Sequence, residues 1–340
     1  MASGPRNDIS ELISILARSP SGRLLHDELG RRWPETEDRL PAIARYALLP
    51  PGKLLRSIMT LHSAEAVGGR GAEVLPAALG MEYLHVATLV HDDIIDGDPV
   101  RRGRPAVPVA YGLPDAIVAG DHLIFAAFGS IAECAALGVP AELVAAAMAA
   151  LAAAGADLCR GQAMEAALAG DPQCPVASYL EVARLKTGAL FRAACLVGGL
   201  LGGADPATAA ALAGYGEHVG VAFQISDDLL PYVTPAEVAG KAPGSDLTNG
   251  RPTLPVLLAY RDGDTGQRRQ LAEALRAGAA AGDSFELVGR LLLATGAVQR
   301  SRQRAEEHAR LALAELAAVR PGTAAGVLAA IARWTSARER

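Results

Sequence analysis

From Leu40 onward, apolar residues recur every three or four positions, the period of an α-helix with one buried face. Gly/Pro clusters interrupt the pattern near Pro50-Pro51-Gly52, Gly68-Gly69, residues 97–108, 138–140, 170–175, 202–206 and 235–250. The intervening stretches of roughly 20–30 residues are long for isolated globular helices and normal for a bundle. β-Branched runs alternating with polar residues are few, and no internal repeat of fixed period is present. The pattern predicts a single all-α domain, a helical bundle over residues 41–340. Residues 1–40 read as an N-terminal helical extension, with a short helix around 9–17 and charged residues broken by Pro20 and Pro34. The Ala-rich, charged stretch 265–282 reads as a surface loop with part of a helix.

Composition sharpens this picture. The 340 residues are 51% hydrophobic but only 4% aromatic, with Ala and Leu filling the apolar positions, which favours helix over sheet. A net charge of −5 argues against nucleic-acid binding and against a polybasic membrane anchor. Cys134, Cys159, Cys174 and Cys195 are widely spaced with no CxxC, which points to a reduced, cytoplasmic setting and away from zinc. Residues 1–20 carry Asp8, Glu11 and Arg18 without a continuous apolar core, so no secretory signal is expected. The longest apolar runs, such as 143–156, fall short of the ~18–20 residues of a membrane span, and no integral membrane segment is expected.

Two acidic clusters break the apolar pattern. His91-Asp92-Asp93-Ile94-Ile95-Asp96 and Gln224-Ile225-Ser226-Asp227-Asp228 each end a long apolar helical run. Asp is a poor helix former and like charges at i,i+4 repel, so local structure gives no reason for them. Asp92 and Asp96 share one helix face, and hard oxygen donors suit Mg²⁺ better than a soft transition metal. Taken alone, a DDxxD also fits a solvated helix end. Stepping back from Asp92 in helical turns gives Thr88, His85 and Met81, a stripe fit to wall an apolar channel.

Cations accompany the acids. Arg101-Arg102-Gly103 follows on a Gly/Pro-rich loop, offering fork-shaped donors matched to phosphate oxygens. In Gly52-Lys53-Leu54-Leu55-Arg56 a glycine turn places Lys53 and Arg56 on one face of a helix start, a position that favours a bound anion. Lys186-Thr187-Gly188 adds a cation and a hydroxyl, a weak signal by itself. Residues 240–255 carry Lys241 and Arg251 in a loop of the composition that forms lids over phosphates. The chain therefore reads as an enzyme that holds a polyphosphate through magnesium.

Together these motifs, in order and spacing over about residues 45–260, resemble the trans-isoprenyl diphosphate synthases (polyprenyl synthetases). The resemblance implies an all-helical fold around a central apolar cavity, a homodimer, and condensation of isopentenyl diphosphate with an allylic diphosphate, with three Mg²⁺ per site. It implies that Asp92, Asp96 and Asp227 hold Mg²⁺, with Asp228 beside the last. Lys53, Arg56, His85 and Arg102 match positions that bind isopentenyl diphosphate. Arg101, Lys186, Thr187, Gln224, Lys241 and Arg251 match positions around the allylic diphosphate. Catalytic roles fall to Asp92, Asp96, Arg101, Lys186, Asp227 and Lys241. Without the resemblance, His85 would be read as a satisfied core histidine.

The sequence departs from the family pattern at four places. Pro231 stands where the second motif ends in a third Asp, and proline tends to kink or end a helix. Pro108 lies where a His is common, Ser57 replaces a common Pro, and Arg251 a common Lys. Ala87 and Thr88, just before the first cluster, are small, with Leu84 and Met81 the next steps down. In this family an aromatic at that level restricts the product, so the expectation is a linear all-trans product of C20 or longer. Phe125, Phe128 and Phe191 are candidate plugs that the sequence does not place. Two other readings stay open: a terpene cyclase of the same fold, disfavoured by the retained Lys53, Arg56 and Arg102, and a non-catalytic regulatory subunit, supported only by Pro231.

Overall fold

The computed structural model describes residues 15, 16, 18–233, 245–277 and 284–336, and nearly all of them are helical. The first helices are α1 (Pro20–Arg32), α2 (Arg39–Leu48), α3 (Leu55–Ala66) and α4 (Gly71–Asp96). A two-stranded hairpin, β1 (Val100–Arg101) and β2 (Arg104–Pro105), leads to α5 (Val107–Tyr111), α6 (Leu113–Ala132) and α7 (Ala141–Leu168). Next come α8 (Val176–Val182), a π-helical turn (Ala183–Gly188), α9 (Ala189–Leu201) and α10 (Pro206–Val233). The chain finishes with α11 (Ser245–Thr248), α12 (Leu254–Asp262), α13 (Thr265–Ala277), α14 (Ser284–Ala294), α15 (Ala297–Glu315) and α16 (Thr323–Ser336).

The all-α expectation holds, and its physical basis is visible in α9. Its sequence ALFRAACLVGGLL is apolar nearly all round, the signature of a central helix. It packs against α3, α4, α7 and α10. α10 joins two apolar cores: Leu212, Tyr215 and Val219 pack with α3, α4, α6, α9 and α16, while Val221, Ile225 and Leu229 pack with α12–α15. The helices meet closely where side chains are absent. A Cβ on Gly220 of α10 would lie 2.7 Å from the Gly188 Cα. Two side-chain hydrogen bonds tie α10 to the C-terminal helix: Tyr215 Oη donates to the Leu328 carbonyl at 2.7 Å and Ser226 Oγ to the Thr335 carbonyl at 2.6 Å.

Several local expectations change. Residues 265–277 form a full helix, because Leu271, Ala274 and Leu275 recur at helical spacing and are buried against α12 and α14; the rest of that stretch, 278–282, lies outside the described residues. The helix expected around 9–17 also lies almost wholly outside them, but Leu25 and Leu29 of α1 are fully buried in the main core. The break at 97–108 contains the hairpin, whose turn puts Arg102 (φ 53°) and Gly103 (φ 75°) in the left-handed region that two-residue turns require. Pro231 does not end α10, which continues to Val233, and Pro108 sits in the first turn of α5, where proline is tolerated. Ser57 donates to the Ala78 carbonyl at 2.7 Å, linking α3 to α4.

The expectation that no segment reaches membrane-spanning length is also corrected. The stretches Leu113–Leu137 and Ala141–Leu168 are long and apolar enough by length and composition. Counting uninterrupted apolar runs missed them, because a helix carries a few scattered polar residues without losing its apolar average. α6 packs along α4, and α7 packs against α9 and the π-helical turn.

α10 and α15 also meet at a histidine pair, His218 Nδ1 and His308 Nδ1 lying 3.2 Å apart. Burial, and then the neighbouring His218, push the His308 pKa from 6.5 down to about 4; Glu307 and Glu217 oppose this and Arg304 adds to it. A base with a depressed folded pKa favours the fold while neutral. Its contribution is therefore complete above pH 6.5 and lost as pH falls toward 4. Urea unfolding at pH 7 and pH 5 should show wild type losing more stability than His308→Gln over this interval. Equal losses in the two proteins would contradict the assignment.

Candidate active site

The first acidic cluster occupies the last turns of α4, which stops at Asp96 because Gly97 adopts a left-handed conformation (φ 66°). Its three aspartates have different partners. Asp93 is 2% exposed and accepts from Arg101 Nε at 2.8 Å, and Arg101 also reaches Asp98 at 3.1 Å. Asp96 is paired with Arg251, which arrives from 155 residues along the chain. Asp92 faces the interior. Burial raises its pKa, Lys186 and Arg251 oppose this, and the negative charges of Asp96 and Glu165 add to it.

Glu165 on α7 is a residue the sequence reading missed. It accepts from Lys186 Nζ at 2.6 Å and lies 3.2 Å from Arg251 Nε. Arg251 also pairs with Asp246 at 3.3 Å. Burial disfavours its charge, but Glu165, Asp96 and Asp246 outweigh it and hold the guanidinium protonated. The π-helical turn sets this arrangement up: Lys186 lies on it, and Gly161 of α7 allows the approach, since a Cβ there would stand 2.6 Å from the Lys186 backbone nitrogen. Single π-turns inside helices recur at functional sites.

On the α10 side, Thr187 Oγ1 donates to Gln224 Oε1 at 2.6 Å and Gln224 Nε2 donates to Asp228 Oδ1 at 2.7 Å. Tyr179 Oη, another missed residue, donates to Asp228 Oδ2 at 2.6 Å. Asp228 is thus a buried hydrogen-bond hub, its pKa pushed well up by burial and by Asp246. Asp227, one residue earlier, is half-buried and lies within electrostatic reach of Arg56.

The remaining cations converge on an aromatic pair, Phe191 and Phe223, whose ring centroids lie 5.5 Å apart. Arg56 stacks over Phe191 at 4.2 Å, and Lys53 lies 6.0 Å from Phe223 and 5.7 Å from Trp334. Lys53 and Arg56 do not share a helix face as expected. Leu54 is left-handed (φ 51°), so α3 starts at Leu55 and Lys53 belongs to the preceding turn. Burial lowers the Arg56 pKa to about 10, against the pull of Glu82 and Asp227. His85, on α4 beside these cations, is held well below 6.5 by burial and by Arg56, Arg102 and Arg101, and is therefore neutral.

Met81, Leu84 and Ala87 are buried in α4, and Thr88 is half-buried with its hydroxyl on the His85 carbonyl at 2.7 Å. Thr88, His85 and Met81 follow Asp92 along one face, whereas Ala87 turns roughly 140° from Asp92 at 3.6 residues per turn. Of the candidate plugs, Phe125 faces outward at 74% exposure and Phe191 lies under Arg56; Phe128 packs against the core. Lys241 lies outside the described residues.

The site thus pairs carboxylates on α4 and α7 with cations from the π-helical turn and the loop before α12, beside a second cationic pocket on α3 and the hairpin. Among the described residues no cluster of three or more His, Cys, Asp or Glu side chains closes on a single point as a metal cage. Mg²⁺ keeps waters and phosphate oxygens and uses one or two carboxylates per ion. Asp92 and Asp96, four residues apart on one face of α4, offer hard oxygens of that kind.

Known proteins share this architecture. Residues 37–290 match the polyprenyl synthetase family model. The short chain isoprenyl diphosphate synthase of Methanothermobacter thermautotrophicus is 34% identical over 306 residues, covering 89% of this chain and 92% of that one. The geranylgeranyl pyrophosphate synthase of Geoglobus acetivorans is 33% identical, with 97% and 99% covered. The solved geranylgeranyl pyrophosphate synthetase of Pyrococcus horikoshii superposes with a TM-score of 0.87 at 30% identity, covering 97% of this chain and 99% of that one. The chain belongs to the polyprenyl synthetase family, the isoprenyl diphosphate synthases, and is a prenyltransferase with the all-α isoprenoid synthase fold.

Arg101, expected beside substrate, donates from Nε and Nη2 to Asp93 and from Nη2 to Asp98. Replacing it with Ala strands a buried carboxylate, and such losses cost about 3–5 kcal/mol. Urea unfolding of Arg101→Ala should show a drop approaching this range. Unchanged stability with lost activity would mean that Arg101 serves substrate alone.

Proposed function

We propose that the protein joins isopentenyl diphosphate head-to-tail (1'-4) to an allylic diphosphate, giving an all-trans prenyl diphosphate of C20 or longer. The observation that carries this reading is the pair of adjacent anion sites. One is lined by Asp92, Asp96, Lys186 and Arg251, the other by Lys53, Arg56, His85 and Arg102, with Asp227 in reach of Arg56. An enzyme acting on one prenyl diphosphate has no need of the second set.

In this reading the allylic diphosphate lies between α4 and α10. Asp92, Asp96 and Asp227 would hold three Mg²⁺ ions, which would supply positive charge against the departing diphosphate of the allylic substrate. Lys186 and Arg251 add positive charge there, with Thr187 and Gln224 alongside, and the sequence motif assigns Lys241 the same role. Arg101 supports the same site through its hold on Asp93. Lys53, Arg56 and Arg102 hold isopentenyl diphosphate so that its double bond faces the allylic carbon. Neutral His85 donates a hydrogen bond without adding charge. The released diphosphate accepts the proton lost from the new allylic product, so no separate side-chain base is required.

Met81, Leu84, Ala87 and Thr88 set the depth available to the growing chain; none is aromatic. Residues 41–340 are the synthase domain and 1–40 an N-terminal extension, of which α1 buries Leu25 and Leu29 in the main core. The exposed Leu113, Ile117, Val118 and Phe125 of α6 support a homodimer, a second copy covering this face. The protein works in the cytoplasm, without crossing a membrane.

Purified protein incubated with Mg²⁺, isopentenyl diphosphate and each allylic diphosphate from C5 to C20 should yield longer linear prenyl diphosphates by mass spectrometry. Leu84→Phe should shorten them. A hydrocarbon formed without isopentenyl diphosphate would make the protein a cyclase, and absence of turnover with every primer would favour a regulatory subunit. An unchanged product in Leu84→Phe would place the limiting wall elsewhere.

A further inference from the structure

One buried acid has no part in the chemistry described so far. Glu82 lies on α4, one helical turn before His85, and is 1% exposed. Its Oε1 accepts no hydrogen bond, and the Arg56 Nε, also buried, donates none. The nearest opposite charge is Arg102, whose Nη2 stands 3.8 Å from Glu82 Oε1. Arg56 is within electrostatic reach on the other side. A buried carboxylate without a full set of hydrogen bonds is costly, and a core position offers apolar residues at no such cost.

Arg102 is positioned by its surroundings. It sits at the tip of the hairpin, with φ 53°, and folds back toward α3. Its Nη1 donates to the Pro50 carbonyl at 3.2 Å. Its guanidinium lies over Gly52, where a Cβ would stand 2.9 Å from Nη2. Glu82 completes this cradle from below. Without Glu82, Arg56 and Arg102 would face each other with no carboxylate between them, and only Asp227 and Asp93 farther off to offset their charge. The exposed hairpin would then let Arg102 swing out to water.

We propose that Glu82 is a positioning residue, an internal counter-charge that keeps Arg56 and Arg102 turned inward and ready for the diphosphate of isopentenyl diphosphate. This rests on the proposed reading of that pocket. The missing hydrogen bonds fit the role. The carboxylate holds the guanidiniums by charge without occupying their donors, which stay available to phosphate oxygens. Preorganisation of this kind lowers the ordering cost that the substrate would otherwise meet.

The test is steady-state kinetics of wild type, Glu82→Gln, Arg102→Ala and the double variant, with each substrate varied in turn. Turnover by wild type establishes the reading itself; its absence would sink that reading, not the role of Glu82 alone. Given turnover, Glu82→Gln should raise KM for isopentenyl diphosphate about tenfold and leave KM for the allylic diphosphate within twofold. In the Arg102→Ala background the same substitution should have much less effect. A KM for isopentenyl diphosphate that stays constant or falls, or equal rises for both substrates, would overturn the proposal. If Glu82→Gln does not fold, Glu82→Asp carries the test. It keeps the charge but draws it back by one methylene, and should raise the same KM selectively; an unchanged KM would again overturn the proposal.

Discussion

A carboxylate taken out of water costs several kcal/mol unless something positive meets it. α4 takes four of them inward, Glu82, Asp92, Asp93 and Asp96, and much of the molecule follows from where their partners come from. Asp93 is met by Arg101 from the hairpin and Asp96 by Arg251 from the loop before α12. Glu82 is met by Arg102 and Arg56. Asp92 has only longer-range help from Lys186 and Arg251, and its pKa rises. Burial and the charges of Asp96 and Glu165 raise it, against that help.

This arrangement explains why the hairpin, the π-helical turn and the short loop segments sit where they do. Each delivers a cation to an acid on a long helix. Arg251 shows the economy of the design. It holds Asp96, Glu165 and Asp246 together, tying the loop to α4 and α7. Lys186 does the same for Glu165. Both cations are thereby grouped beside Asp92, where the proposed allylic diphosphate would bind.

The helical class and the two acidic motifs were legible in the sequence because both are local. Period 3.6 and DDxxD spacing are properties of neighbouring residues. The split of labour among Asp92, Asp93 and Asp96 was not legible, because it depends on which arginine reaches which acid across the fold. Glu165, Tyr179 and Asp246 escaped for the same reason; each is an unremarked polar residue until α7, α8 or α11 brings it to the site. Lys53 was misplaced because Leu54 adopts a left-handed conformation that no side-chain pattern announces. The helix at 265–277 was underweighted because its charged face obscured the Leu271–Ala274–Leu275 stripe.

The central claim is that two adjacent sites hold diphosphates by different means, one through carboxylates that need Mg²⁺ and one through protein cations alone. Calorimetric titration measures this directly, using isopentenyl diphosphate and an unreactive thio-analogue of the allylic diphosphate, with and without Mg²⁺. The account predicts that the allylic analogue binds only with Mg²⁺ and not at all in Asp92→Asn. Isopentenyl diphosphate should bind in either condition and fail in Arg56→Ala. Equal metal dependence for both ligands, or allylic binding that survives Asp92→Asn, would contradict it.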